Sequence, residues 1–443
     1  MSDDRRVTVI GGGLAGSECA LALAGRGVPV TLVEQRPNAV APAHHTSDFA
    51  ELVCSNSFKS LRHDSAAGLL KEELGAMGST LIGLADAASV PAGGALAVDR
   101  VRFSSLVTQA ISAHELIEVE RREAIAVPDG PCVIAAGPLC SQALFDALCR
   151  RLGTTSLSFF DAAAPIVDAE SIDRGVAFVQ SRYEDAGAGD YLNCPMDRGE
   201  YDRFYDELLG AKRTILRDFE QGDLFSACQP VEEVARTGRD ALRFGALKPV
   251  GLLDPRSGRR PWAAVQLRAE NRGRTAYNLV GFQTNLTWGE QRRVFRLIPG
   301  LGHAEFFRYG VMHRNSFVDS PRALDGSFAI PGTTVRLAGQ ITGTEGYTEA
   351  IASGLFAALN TYADLKGLER PALPVTSAFG SLVAYATNPA TDPYQPMHVN
   401  FGLVPPLEGP HLKKRARYRA YADRATRDLL AFVASRPDLF GTF

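Results

Sequence analysis

The residues able to do chemistry in this 443-residue chain begin with its thiols, at positions 19, 54, 132, 140, 149, 194 and 228. A thiol reacts as its thiolate, and with a free pKa of roughly 8.5 it needs electropositive surroundings to do so at neutral pH. Cys54 lies in "ELVCSNSF", between the apolar Leu52-Val53 and the polar Ser55-Asn56-Ser57, and has no second cysteine at redox-pair spacing. Cys228, in "SACQPVEE", precedes a Gln-Pro step and the acidic Glu232-Glu233. Taken singly, each is more readily a small buried residue than a reactive one. Cys19 and Cys149 fall in apolar helical patterns and Cys132 opens the strand-like "CVIAAG", so these three read as buried. An odd cysteine count in a long chain does not describe a disulfide framework. No pair has zinc spacing and the adjacent His44-His45 point apart, so no metal site is expected.

The element that would set a ligand beside such a thiol is the N-terminal "RVTVIGGGLAGSECALALAGRGVPVTLVEQRP". "VTVI" is a buried strand of β-branched residues, Gly11-Gly12-Gly13-Leu14-Ala15-Gly16 opens an apolar helix, and "PVTLVE" is a second strand ending in Glu34. This order binds dinucleotides: Gly11 permits the tight turn, Gly13 admits the pyrophosphate and Gly16 lets helix pack on strand. The helix start offers free N–H groups to phosphate, and Glu34 can accept from a ribose diol. An acidic residue there suits FAD or NAD better than NADP. "TVRLAGQITGTEGYTEAIASGLFAAL", 334–359, is a further strand–glycine–helix unit. Its Gly339, Gly343 and Gly346 let backbone approach a flat ligand, with a helix starting near Tyr347. A late segment that returns to close the first domain favours FAD.

The pattern changes between about 155 and 330. Strand-like "PWAAVQL" and "YNLVGFQT" and the charged helical "EYDRFYDELLGAKRTILRDFE" read as an inserted α+β domain. The expected division is 1–155 for the first part of an α/β, Rossmann-like FAD-binding domain, 156–330 for the insert and 331–443 for the remainder, ending in a basic helix. A net charge of −3 argues against coating nucleic acid through bulk charge but leaves room for local basic footprints. "EQRRVFR", with Arg292 and Arg293, and "HLKKRARYR", with Lys413, Lys414 and Arg417, are such clusters, or plain solvated surface. No apolar run approaches the roughly 20 residues of a membrane helix, and the N-terminus has no signal-peptide pattern, so a cytoplasmic protein is expected.

Long stretches in order, among them "GGGLAGSE", "PAHHTSDFAELVCSNSF", "VPAGGALAVDR", "DYLNCPM", "FGALKPVGL", "NLVGFQTNLTWGEQRRVF", "IPGLGHAEFFRYGVMHRN", "AGQITGTEGY" and "YQPMHVNFGLVPP", resemble the folate- and FAD-dependent tRNA (uracil-5-)-methyltransferases, TrmFO. Departures are small: Ala246 stands where a proline is expected, and "AAGPLCS" replaces "ATGPLTS". The related flavoprotein family GidA shares the FAD fold but not these stretches.

The resemblance implies transfer of a one-carbon unit from 5,10-methylenetetrahydrofolate to C5 of uridine 54 in the tRNA T-loop. FAD would be the reductant, itself reduced by NADH or NADPH. Such chemistry needs a thiolate to add to C6 of uracil, a base to remove the C5 proton and a hydride for the exocyclic methylene. Carried over by motif, Cys228 is the nucleophile and Cys54 the base beside the flavin, with Cys194 structural. Tyr347 is expected as a stacking surface for flavin or pterin, Gln283, His313, Arg314 and Asn315 in the folate or uridine pocket, and the basic clusters on tRNA phosphate. No protein partner is implied. The other readings are the same chemistry on ribosomal RNA, a small-molecule flavin oxidoreductase, and a non-enzymatic FAD-containing RNA-binding protein.

Overall fold

A computed structural model describes residues 6–39, 44–153, 157–185, 188–214, 229–409 and 412–441, with backbone alone at 157–161 and 313–314. Five parallel strands form the first sheet, in the order Val335–Leu337, Cys132–Ile134, Val7–Ile10, Val30–Glu34, Ile117–Arg121. Val7, Val9, Val30, Leu32, Val133 and Leu337 are all buried, as strands covered on both faces require. The strand from the late segment therefore pairs beside Cys132–Ile134, and its helix, Tyr347–Lys366, packs on Leu14–Ala24. Gly354 makes that approach possible, because a Cβ there would run into the Ala15 carbonyl.

The second sheet has six strands, ordered Phe178–Val179, Tyr191–Met196, Ala263–Ala269, Ala276–Leu279, Ile166–Asp168, Phe306–Arg308, and is antiparallel throughout. Its central strand, Ala263–Ala269, is buried at every residue. Alternation explains this: Val265 and Leu267 join a core with Phe204, Phe282 and Phe295, while Gln266 and Arg268 face the other way and are hydrogen-bonded. The two sheets are joined by an antiparallel ribbon, Leu157–Ala162 against Met312–Phe317.

Buried carboxylates fasten the helical layer. Glu73 accepts from the N–H groups of Ala378 and Phe379, and Glu18 from those of Thr80 and Leu81, each at a helix start where N–H groups lack partners. Burial pushes both carboxyls up to about 7, against the pull of those donors. The C-terminal helix, Lys414–Ser435, buries Ala422, Ala425 and Leu429. His63 fastens it, with Nδ1 on Glu72 at 2.7 Å and Nε2 on Asp423 at 2.9 Å. No helix among the described residues is long and apolar enough to cross a membrane.

Candidate active site

A cleft of about 1130 Å³, its mouth included, opens where the parallel strands end at the glycine loop. This is the usual ligand position in such sheets. Gly11 holds φ at +103° against the Ala135 carbonyl, a conformation and a closeness that exclude a side chain. A Cβ on Gly13 would meet nothing within 4 Å, so the backbone there is open to a ligand. Gly16 lies against the Gly11 carbonyl and packs helix on strand; Leu14 and Ala15 line the cleft. The helix Leu14–Ala24 starts without a side-chain cap, leaving its first N–H groups for a phosphate.

Glu34 stands at the end of its strand, with Oε2 accepting from the Gly12 N–H at 2.7 Å and Oε1 from Arg36 Nε at 2.9 Å. Burial would raise its pKa, but the Arg36 guanidinium and these donors hold it below the ordinary carboxylate range. A carboxylate with one donor on Oε2 keeps acceptor capacity for a ribose hydroxyl. Arg36 also reaches Glu51 at 3.1 Å, and Glu51 accepts from the N–H groups of His45 at 2.8 Å and Thr46 at 3.1 Å. The loop before Cys54 is therefore tied back to the strand end. Burial pushes His44 down to about 4, so the imidazole on this wall is neutral at neutral pH.

Cys54 lines the same cleft, half-buried, with Sγ 3.5 Å from the Ala162 carbonyl. Its N–H and that of Ser55 both donate to the Tyr347 hydroxyl at 2.9 Å. The next two residues are held from the second sheet: Arg268 donates to Asn56 Oδ1 at 2.8 Å and to Ser55 Oγ at 2.9 Å. Asn56 spends its amide hydrogens on the Val98 and Ala269 carbonyls. Arg100 pairs with Glu270 and donates to the Leu52 carbonyl, two residues before Cys54, and Arg308 lies in the same charged neighbourhood.

The remaining residues divide by place. Gly339, Tyr347 and Asn315 line the cleft, whereas Gly343 lies under the Tyr394 ring and Gly346 over the Glu349 carboxylate. Asn315 is 1% exposed, and neither amide atom has a hydrogen-bond partner. His313 and Arg314 belong to the joining ribbon, opposite Asp161 and Phe160. Gln283 is away from the cleft wall, its carbonyl accepting from the Val231 N–H. Cys228 lies outside the described residues. Arg292 and Arg293 are exposed on the helix Trp288–Phe295, and Lys413, Lys414 and Arg417 begin the C-terminal helix, where Lys414 and Arg417 stand over the Tyr418 ring. Arg36, Glu51, Arg100, Arg268 and Arg308 escape a reading of the sequence. Arg36, two residues after Glu34, carries the only local signal among them.

The open glycine backbone, uncapped helix start, Glu34 and the unpartnered Asn315 amide fit a dinucleotide with a polar linker and a flat head. The family model described as "Glucose inhibited division protein A" matches residues 6–369. A methylenetetrahydrofolate--tRNA-(uracil-5-)-methyltransferase TrmFO of Thermosynechococcus vestitus is 54% identical, over 97% of this chain and 94% of its own. Its counterpart from Geobacter sulfurreducens is 52% identical, over 97% and 99%. The chain belongs to the TrmFO family. Among solved structures, Aquifex aeolicus GidA superposes with a TM-score of 0.71 at 15% identity, over 99% of this chain and 76% of that one. That likeness shows the GidA-related fold, into which this TrmFO chain sets Cys54.

Proposed function

We propose that the chain methylates C5 of a tRNA uridine, position 54 of the T-loop, with 5,10-methylenetetrahydrofolate as carbon donor. FAD and NADH or NADPH complete the set of cofactors. The observation that carries this reading is the Cys54 thiol opening beside the dinucleotide loop in a chain 54% identical to a TrmFO protein. As domains we propose 1–155 with 331–443 for FAD, 156–330 as the insert, and the cytoplasm as the place of action.

In this reading Gly11 to Gly16 bind the pyrophosphate, Glu34 the adenosine ribose and Asn315 a polar group of the bound cofactor. The Cys228 thiolate adds to C6 of uracil, and C5 attacks the folate methylene as the first of its two bonds to nitrogen breaks. The Cys54 thiolate then takes the C5 proton, and departure of tetrahydrofolate, as the remaining carbon–nitrogen bond breaks, leaves an exocyclic methylene at C5 with sulfur still on C6. FAD held at this site in its reduced form would supply the hydride that completes the methyl group, with release of the Cys228 thiolate from C6, and NADH or NADPH would reduce it again. Arg100 holds the Leu52 carbonyl in the loop that presents Cys54. Tyr347 holds the Cys54 backbone while its ring lines the cleft as a surface for flavin or pterin. His313 and Arg314 serve the folate and uridine end, and Arg292, Arg293, Lys413, Lys414 and Arg417 the RNA backbone.

The test is 5-methyluridine formation in an unmodified tRNA transcript, comparing methylenetetrahydrofolate with S-adenosylmethionine. Product with the folate alone is expected. Yellow, folded protein giving no product with either donor overturns the reading.

A further inference from the structure

Three rings form a stack on the edge of the inserted sheet. Trp288, first residue of its helix, stacks on Tyr309 with centroids 5.7 Å apart and planes within 15°. Tyr309 stacks in turn on Phe306, at 5.1 Å and 17°. Both separations lie where offset aromatic pairs attract. Phe306 packs on the core of the insert, whereas Trp288 is 61% exposed. The stack is anchored at one end and open at the other.

Two further observations say what the open end suits. Arg292 is one turn on from Trp288, so the two side chains share a side of the helix. The ion pairs of that helix are made by Arg293, to Glu207 and Glu290, and none reaches the exposed Arg292 among the described residues. An open aromatic face beside an unpaired guanidinium is the arrangement that takes single-stranded nucleic acid, base on ring and phosphate on cation.

Backbone hydrogen bonds link the stack to the segment that faces Cys54. Gly310, next after Tyr309, is held at both its N–H and its carbonyl by the Gln291 side chain, each at 2.8 Å. The Val311 carbonyl then accepts from the Ala163 N–H at 2.8 Å, beside the Ala162 carbonyl that faces Cys54. The chain leading into Trp288 meets Thr214 through Asn285 and Val231 through Gln283, each by a backbone bond of 2.7 Å.

We propose that the Trp288–Tyr309–Phe306 stack receives a nucleobase of the RNA substrate, one that flanks the uridine delivered to Cys54, with Arg292 on a phosphate of the same stretch. This rests on reading the chain as an RNA-modifying enzyme. A uridine attacked at C6 must leave its own stack. Its neighbours then lose a stacking face, and Trp288 supplies another.

The test uses the full-length, FAD-loaded protein and a T-arm hairpin in which the nucleotides flanking the uridine are made abasic in turn. Trp288→Ala should raise the KM and Kd for intact hairpin by about tenfold to a hundredfold, leaving kcat and the folate KM unchanged. Trp288→Phe should restore most of the affinity. One abasic position should weaken wild type to the same degree and Trp288→Ala no further. Equal affinity of wild type and Trp288→Ala, or additive losses at every abasic position, overturns the stack as a base site while leaving the methyltransferase reading intact. Wild type that neither binds nor methylates the hairpin overturns both.

Discussion

The Tyr347 hydroxyl and the Cys54 backbone are joined by a 2.9 Å hydrogen bond, doubled by a second from Ser55. Tyr347 begins the helix of the late segment and Cys54 ends the loop after the first strands, so one phenol fixes the thiol against the wall that closes the cleft. Burial raises the pKa of this phenol, so the hydroxyl is retained across the working pH range.

Tyr347→Phe keeps the ring and removes the acceptor shared by two N–H groups. Leaving buried donors unmade costs about 1–3 kcal/mol, so urea unfolding should shift by that order. Methyl transfer should slow by about tenfold or more through misplacement of the thiol, with the RNA KM unchanged. Wild-type stability in the mutant would show that these bonds carry nothing.

Asn315→Leu separates a structural from a ligand-binding role. The amide is buried without partners, and an unpaired buried polar group costs about 1–3 kcal/mol. The apoprotein should therefore hold or gain stability, while FAD, measured by the quenching of its own fluorescence, should bind about tenfold more weakly. Unchanged FAD affinity would remove Asn315 from the cofactor site.

The C-terminal helix should be fastened in a pH-dependent way. Burial disfavours a charged His63, but Glu72 and Asp423 outweigh it and raise the pKa. A raised histidine adds stability that is fully present below its unfolded value, roughly 6.5, and is lost as pH rises through the folded one. Hydrogen exchange of Lys414–Ser435 should become less protected, relative to the rest of the fold, as pH rises above that value. In His63→Gln this step should vanish; identical profiles would refute the clasp.

Roles within the thiol pair can be read from a trap. RNA with 5-fluorouridine at the reacting position has no C5 proton to lose, so the bond from C6 to sulfur persists. Cys228→Ala should form no adduct on a denaturing gel and Cys54→Ala should still form one. The reverse pattern exchanges the roles, and adduct in both single mutants rejects a cysteine nucleophile at either position alone.

The parts of this site legible in the sequence are those with short-range rules. The loop from Gly11 to Gly16 and the Glu34 strand end follow from spacing, because each residue acts within one strand–helix–strand unit. The late strand and helix were legible too, since "TVRL" and the run after Tyr347 carry their own periodicity. Spacing does not say which way a loop glycine faces: Gly339 reaches the cleft, whereas Gly343 and Gly346 accommodate Tyr394 and Glu349. The Arg268–Asn56 bond joins residues 212 apart, one on the inserted sheet and the other in the loop after Cys54, and no local pattern encodes it. Tyr347 reads as a flat surface in sequence, and its hydroxyl becomes important only once the fold brings Cys54 beneath it.

The central claim is that the folate gives the carbon and the flavin gives the hydride. The most direct measurement is mass spectrometry of 5-methyluridine made from folate carrying two deuterium atoms on the methylene and one at C6 of the pterin. The account predicts a methyl group with two deuterium atoms, its third hydrogen coming from reduced FAD. Three deuterium atoms would make the folate its own reductant, and none would place the carbon source elsewhere; either result contradicts the account.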